Sequence, residues 1–360
     1  MRLIPYKKAA LDKLKFAFAQ DEIQPYTRDI KTALDDMVRA GRATKLSTQG
    51  KGYVNRYRVV LNDKDGLLVE VTPNRPDNAK LGLTMEYTPA HLDKSERAIV
   101  VEVVHEILGT DARRLLGTVV LLIVHIAVDF PFDIDEVAIE ARSKSTCASW
   151  GKVFGDKSFL QTQYFGSSAS DSQVVAYDKG AELYVQLAKA PATTTKLFEY
   201  DEEADKLGPR LRLEDKKTLT RSPVPLHDLA QIAAPFRGVH VYAMVDAEEK
   251  LKSPLERQTL ALAKAVGLQA ALNGLDKGDR EKIRRKLISC QVEWWDATTY
   301  SNALEKRLKA TRLFPDDAFH PVAEREKLAK SSSVKSTDRG DKKRKEKLAT
   351  KQRPGKKKPH

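Results

Sequence analysis

Along the first forty residues apolar positions recur at helical spacing, and the stretch Lys7 to Ala43 reads as two helices. The first covers Ala9–Ala19. The second covers Tyr26–Ala40, with Thr27 as a candidate cap and Gly41 as the stop. The period then shortens to two. Gly52–Leu61 and Gly66–Val71 alternate apolar with polar residues around Asn62-Asp63-Lys64-Asp65-Gly66, which is a hairpin signal. A strand over Lys80–Thr88 is ended by Pro89, and a long helix follows from about Leu92 to Leu108.

The pattern then recurs. Strands are predicted at Val119–Phe130, Glu136–Arg142, Ser158–Gly166, Gln173–Asp178 and Pro209–Lys216, with a short helix starting near Lys179. From Leu226 the period is helical, over Leu255–Leu275, Gly278–Cys290 and Ser301–Leu313. The fold class expected is α+β: an antiparallel β-rich domain with two pseudo-repeated sheet halves, helical N-terminal and C-terminal parts, and a disordered basic tail. The boundaries that follow are 1–48, helical; 49–225, catalytic; 226–328, helical and DNA-recognising; and 329–360, the tail.

Charge changes the picture mainly at that tail. The chain carries a net +13, yet Ser331 to His360 holds twelve Lys/Arg against three acids, leaving a body of only +4. Such a tail has too few apolar residues to fold and attracts polyanions without specificity. The body's charge alone does not establish nucleic-acid binding. Two distant cysteines, Cys147 and Cys290, offer neither a disulfide framework nor a zinc site, which fits a cytoplasmic protein. Met1 to Lys8 holds no apolar stretch resembling a signal peptide, so none is expected. The most apolar run, Thr118 to Phe130, is broken by His125 and Asp129 and falls short of the roughly 20 residues of a membrane helix, so no membrane partner is expected.

The most informative segment is Thr162-Gln-Tyr-Phe-Gly-Ser-Ser-Ala-Ser-Asp-Ser-Gln-Val-Val-Ala-Tyr-Asp-Lys179. One strand ends at a Gly-Ser turn and the next delivers Tyr177 beside Lys179. Three acids, Glu86, Asp129 and Glu214, lie within or at the end of apolar strands, where a carboxylate must be paired or bound to a cation. Alternation puts His125, Ala127 and Asp129 on one face, and Arg210, Arg212 and Glu214 in one row. From the residues alone, an ion pair of Asp129 or Glu214 with Arg212 competes with metal binding. Trp294 and Trp295 suit either base stacking or core packing. No Gly-Lys-Ser/Thr phosphate loop occurs, which argues against an intrinsic helicase or ATPase.

Taken in order, Met85-Glu-Tyr-Thr-Pro-Ala-His-Leu92, His125-Ile-Ala-Val-Asp-Phe130, Thr162-Gln-Tyr-Phe-Gly166 through Tyr177-Asp-Lys179, and Arg210-Leu-Arg-Leu-Glu214 resemble the replication initiation factor family. That family holds initiators of small rolling-circle plasmids and relaxases of some conjugative elements. A weaker match runs through Asp276 to Leu287. The resemblance implies that Tyr177 attacks a scissile phosphate, leaving a 5′-phosphotyrosine and a free 3′-hydroxyl that primes a host DNA polymerase. It implies a divalent cation, Mg²⁺ or Mn²⁺, held by Asp129, Glu214, Glu86 and a substituted His125, with Lys179 as electrostatic stabiliser. A homodimer and a host helicase are further implied partners. DNA recognition falls to Arg212 and to the basic stretch Lys282, Arg284, Arg285 and Lys286.

The sequence departs from the family pattern in three places. His125 stands where a carboxylate is usual, Arg212 where a second acid is common, and Ser168 near a usual arginine. His125 is thus either a metal ligand or a core histidine. These departures keep open a different class of function: a non-catalytic origin-binding or regulatory protein that grips DNA without cutting it.

Overall fold

The computed structural model describes residues 6–48, 52–62, 65–73, 80–154, 157–180, 182 and 210–321. The basic tail expected over 329–360 lies outside them.

Ten strands follow one another in a single antiparallel sheet: β1 (Ala10–Ala19), β2 (Ala43–Lys45), β3 (Tyr53–Val60), β4 (Gly66–Pro73), β5 (Leu81–Tyr87), β6 (Val120–Phe130), β8 (Cys147–Phe154), β9 (Lys157–Phe165), β10 (Ser172–Asp178) and β11 (Leu211–Thr218). Their spatial order is β2-β3-β4-β5-β1-β6-β11-β10-β9-β8, and β12 (Val224–Pro225) also pairs with β6. Read outward from the central β1–β6 pair, each side is a four-strand meander returning to the strand beside which it began. A second, two-stranded sheet pairs β7 (Val137–Ala141) with β13 (Val239–Ala243).

The central strand β1 corrects the helix expected over Ala9–Ala19. Leu14, Phe16 and Phe18 are fully buried on one face, while Lys13 and Lys15 face the other side and meet Glu86. That is a period of two, and pairing on both edges with β5 and β6 overrides the helix propensity of the alanines. The 1–48 segment is therefore not a helical region: it supplies the middle of the sheet as well as the Thr27–Arg39 helix. Thr27 does not cap that helix; its hydroxyl donates to the Ile23 carbonyl at 3.2 Å.

One face of the sheet is dry. Tyr57, Val69, Met85, Phe16, Val124, Val128 and Leu213 pack there with Ile30, Leu34 and Met37 of the Thr27–Arg39 helix and Val100, Val104 and Ile107 of the Lys94–Leu108 helix. The second helix starts at a capping box in which Asp93 and Glu96 satisfy each other's backbone N–H groups. Strands alternate, so the opposite face collects the polar residues.

Toward the C-terminus the pattern is less purely helical than expected. Strand β13 lies within it, and β8 joins the sheet edge unforeseen. The helix expected over Leu255–Leu275 is two, Pro254–Val266 and Leu268–Asn273, broken at Gly267 with φ +88°. A side chain there would meet the buried Gln163 Oε1 at 2.5 Å. Residues beyond 226 divide between two cores: Leu260, Leu268, Leu272 and Ile283 pack around Tyr242, while Trp295, Leu308 and Phe314 join the main core. No helix among the described residues is long and apolar enough to cross a membrane.

Candidate active site

The polar face is ordered by strand register. Across β6, β11, β10 and β9 one row reads Asp129, Arg212, Tyr177, Thr162. The next row along the strands reads Ala127, Glu214, Val175, Tyr164, and the one after it His125, Lys216, Gln173. Tyr177 is thus the cross-strand neighbour of Arg212, which is the neighbour of Asp129. A helix begins directly after β10, at Lys179.

Asp129 has no exposed surface, and Arg212 is 2% exposed. Arg212 Nε donates to Asp129 Oδ1 at 2.6 Å and Nη2 to Oδ2 at 3.0 Å, while Arg210 Nη1 reaches the same Oδ2 at 2.9 Å. The third Arg212 nitrogen, Nη1, lies 3.3 Å from Asp12 Oδ1. Asp12 reaches it from a register irregularity in β1 between Leu11 and Lys13. Burial alone would make the Arg212 guanidinium easier to deprotonate, but its bonds to Asp129 and the neighbouring charges raise its pKa above the ordinary value.

Tyr177 is buried, and that burial pushes its phenol pKa well above the usual value; Arg212 pulls it down, while Glu214, Glu182 and Asp12 push it further up. Lys179 is also buried, with Nζ 5.6 Å from the Tyr177 ring centroid and in an ion pair with Glu182. Burial, with Arg212 second, lowers the Lys179 pKa. Glu214 lies diagonally from His125, which meets its Oε1 through Nδ1 at 2.8 Å, and Lys216 Nζ is 3.4 Å from Oε2. Burial works against ionisation of Glu214, but the His125 hydrogen bond and the charges of Lys216, His125 and Arg212 outweigh it and hold the carboxyl below its ordinary range.

The structure therefore brings Tyr177, Arg212, Asp129 and Glu214 onto one stretch of sheet, with Lys179 at the helix start just after β10 and His125 joined through Glu214. Glu86 does not join them. It sits on β5, across β1 from β6, where Lys13 and Lys15 hold it at 2.6 and 3.4 Å. Two participants, Asp12 and Glu182, escaped the sequence reading, and Arg210 was placed in its row without being given a role. Asp12 was hidden because its strand reads as a helix, whereas the apolar alternation around Arg210 was signal enough to place it beside Arg212.

The carboxylates do not present the ligand set expected for Mg²⁺ or Mn²⁺. Such a cation takes oxygens that are free to face it. Here Asp129 is clasped by two guanidinium groups, Glu214 by His125 and Lys216, and Glu86 by two lysines. Among the described residues no three His, Cys, Asp or Glu side chains converge as a metal-holding group. Of the two readings the sequence left open for Asp129, the geometry is that of the ion pair.

The basic stretch after residue 276 also divides. Arg284 bonds the fully buried Glu140, Nε at 2.7 Å and Nη2 at 2.5 Å, and Lys286 Nζ bonds Glu256 at 2.7 Å. Those two hold the fold together. Lys282 and Arg285 are exposed. Trp295 donates Nε1–H to the Val239 carbonyl at 3.0 Å, and Trp294 stacks on Phe132 at 4.6 Å between centroids, so both serve packing.

No family model matches this chain, and no curated protein matches it. Among solved structures, the rolling circle replication initiator protein from Geobacillus stearothermophilus is similar over 72% of this chain and 98% of that one, with 15% identity and a TM-score of 0.36. At that identity and superposition the likeness assigns nothing to this chain.

Proposed function

We propose that this protein nicks and rejoins one strand of DNA through Tyr177, in the manner of a replication initiator. The observation that carries the reading is the register pair of Tyr177 with Arg212: a phenol held next to a buried, permanently charged guanidinium on a polar sheet face. A phosphotyrosine conserves the energy of the phosphodiester bond, so the strand can be resealed. The ordered motifs around Tyr177 and Glu214 support the same reading. A replication start by a free 3′-hydroxyl, a homodimer and a host helicase and polymerase as partners belong to this proposal.

The test is direct. Full-length protein is mixed with supercoiled plasmid carrying the DNA element that encodes it, and products are separated under denaturing conditions. Open circles and a protein-linked strand are expected, and both vanish in Tyr177→Phe. Equal nicking by the Phe variant overturns the assignment.

A second reading is favoured by the burial of Tyr177 and by the closed pairing of Asp129. It is a non-catalytic protein that binds the same DNA. It predicts retention of that DNA on the protein with no covalent adduct in any buffer.

A further inference from the structure

We infer that this site operates without a divalent cation, the guanidinium groups of Arg212 and Arg210 standing where a metal would be expected to neutralise the carboxylates. The inference rests on the nicking reading and deepens it. Asp129, Glu214, Asp12 and Glu182 face Arg212, Arg210, Lys179 and Lys216 in ion pairs, so the cluster is balanced before any ion enters. The pairs are also hard to open. Asp129 has no exposed surface and Arg212 is 2% exposed, so a cation that took the Asp129 carboxylate would take it from a buried guanidinium, while at Glu214, 4% exposed, it would displace His125 and Lys216.

An arginine suits the substituted role. Its charge is insensitive to pH. Three nitrogens of Arg212 are oriented by Asp129 and Asp12, which fixes the group beside Tyr177 and prevents its collapse onto another acid. Preorganised charge of this kind stabilises negative charge building on a transferring phosphoryl group. The step balances without a co-reactant: Tyr177 Oη forms a bond to phosphorus, the bond from phosphorus to the 3′ oxygen breaks, and one proton passes overall from the phenol to that oxygen. Arg212 acts on this step through its field and takes no part in the proton transfer.

The experiment has two arms on the full-length wild-type protein. In the first, Mn²⁺ is titrated into DNA-free protein and followed by its electron paramagnetic resonance signal. No stoichiometric site is expected, and Asp129→Asn leaves the titration unchanged. In the second, adduct formation on the supercoiled plasmid is compared in excess EDTA, Mg²⁺ and Mn²⁺, and no loss in EDTA is expected. A stoichiometric Mn²⁺ site that Asp129→Asn or Glu214→Gln removes overturns the inference, as does an adduct abolished by EDTA and restored by either metal. Absence of adduct in every buffer sinks the nicking reading instead, and the Mn²⁺ titration still decides whether the carboxylates are closed to metal.

Discussion

Arg212 and Asp129 form a two-point pair, Nε to Oδ1 at 2.6 Å and Nη2 to Oδ2 at 3.0 Å, in which the carboxylate has no exposed surface. The pair ties β11 to β6 at the level of Tyr177. Asp129→Asn keeps the side chain's volume and removes its charge, so the buried Arg212 and Arg210 face a neutral amide in place of the carboxylate. Breaking one side of such a pair costs about 3–5 kcal/mol. The expected result is a lower midpoint in urea unfolding with an unchanged slope. A loss below about 1 kcal/mol, the range of exposed ion pairs, would show that water reaches the site.

Tyr177→Phe separates chemistry from structure. The ring stays, and with it the position of Lys179 Nζ 5.6 Å from its centroid. Only the hydroxyl is lost, so the stability change should be about 1 kcal/mol or less. Covalent adduct should disappear completely while retention of the DNA is unchanged. A variant that unfolds, or that loses DNA binding, would assign Tyr177 to the scaffold.

The two neighbouring arginines at the end of the Lys277–Leu287 helix should behave oppositely. Arg284→Ala strips Glu140, fully buried, of its closest partner while Arg142 Nε stays at 3.0 Å on the other carboxylate oxygen, and should lower stability by about 1.5–3 kcal/mol, the scale of a lost charge-assisted hydrogen bond. Arg285 is exposed, and its removal should stay within about 0.5 kcal/mol of wild type. If this face touches phosphate, Arg285→Ala lowers DNA affinity and reduces the salt slope by about 1, as does Lys282→Ala. Equal stability losses at 284 and 285 would contradict the ion pair to Glu140.

Much of the sheet was legible because half-buried strands must alternate. β3 to β6 and β9 to β11 fall within a few residues of the periodic runs, and the row from Asp129 to Arg212 follows from their parity. β1 was not legible: Ala9-Ala10 and Ala17 favour helix locally, and only its placement between two strands shows that Leu14, Phe16 and Phe18 are the signal. For the same reason Asp12 was missed. Whether a carboxylate in an apolar strand meets a cation of the protein or a metal depends on which neighbours arrive from other strands. Arg210 reaches Asp129 across a separation of 81 residues, which no local pattern encodes.

Glu256 offers a pH test independent of the tyrosine site. Its carboxylate accepts the backbone N–H groups of Lys252 and Ser253, both at 3.0 Å, and the ammonium of Lys286 at 2.7 Å. Burial opposes ionisation, but Lys286 and those N–H groups prevail and hold the carboxyl at about 2, against an ordinary 4.5. A pKa lowered by folding means that the ionised group favours the folded state. Its contribution is therefore complete above pH 4.5 and fades as pH falls toward 2. Glu256→Gln should lower stability at neutral pH by about 1–2 kcal/mol, the scale of a lost cap and charge-assisted bonds. The difference between wild type and variant, measured by urea unfolding at successive pH values, should narrow below pH 4.5 and nearly close at pH 2. Because both proteins share every other titrating group, a gap that stays constant across that window would mean the Glu256 carboxylate gains nothing from Lys286 and the helix start.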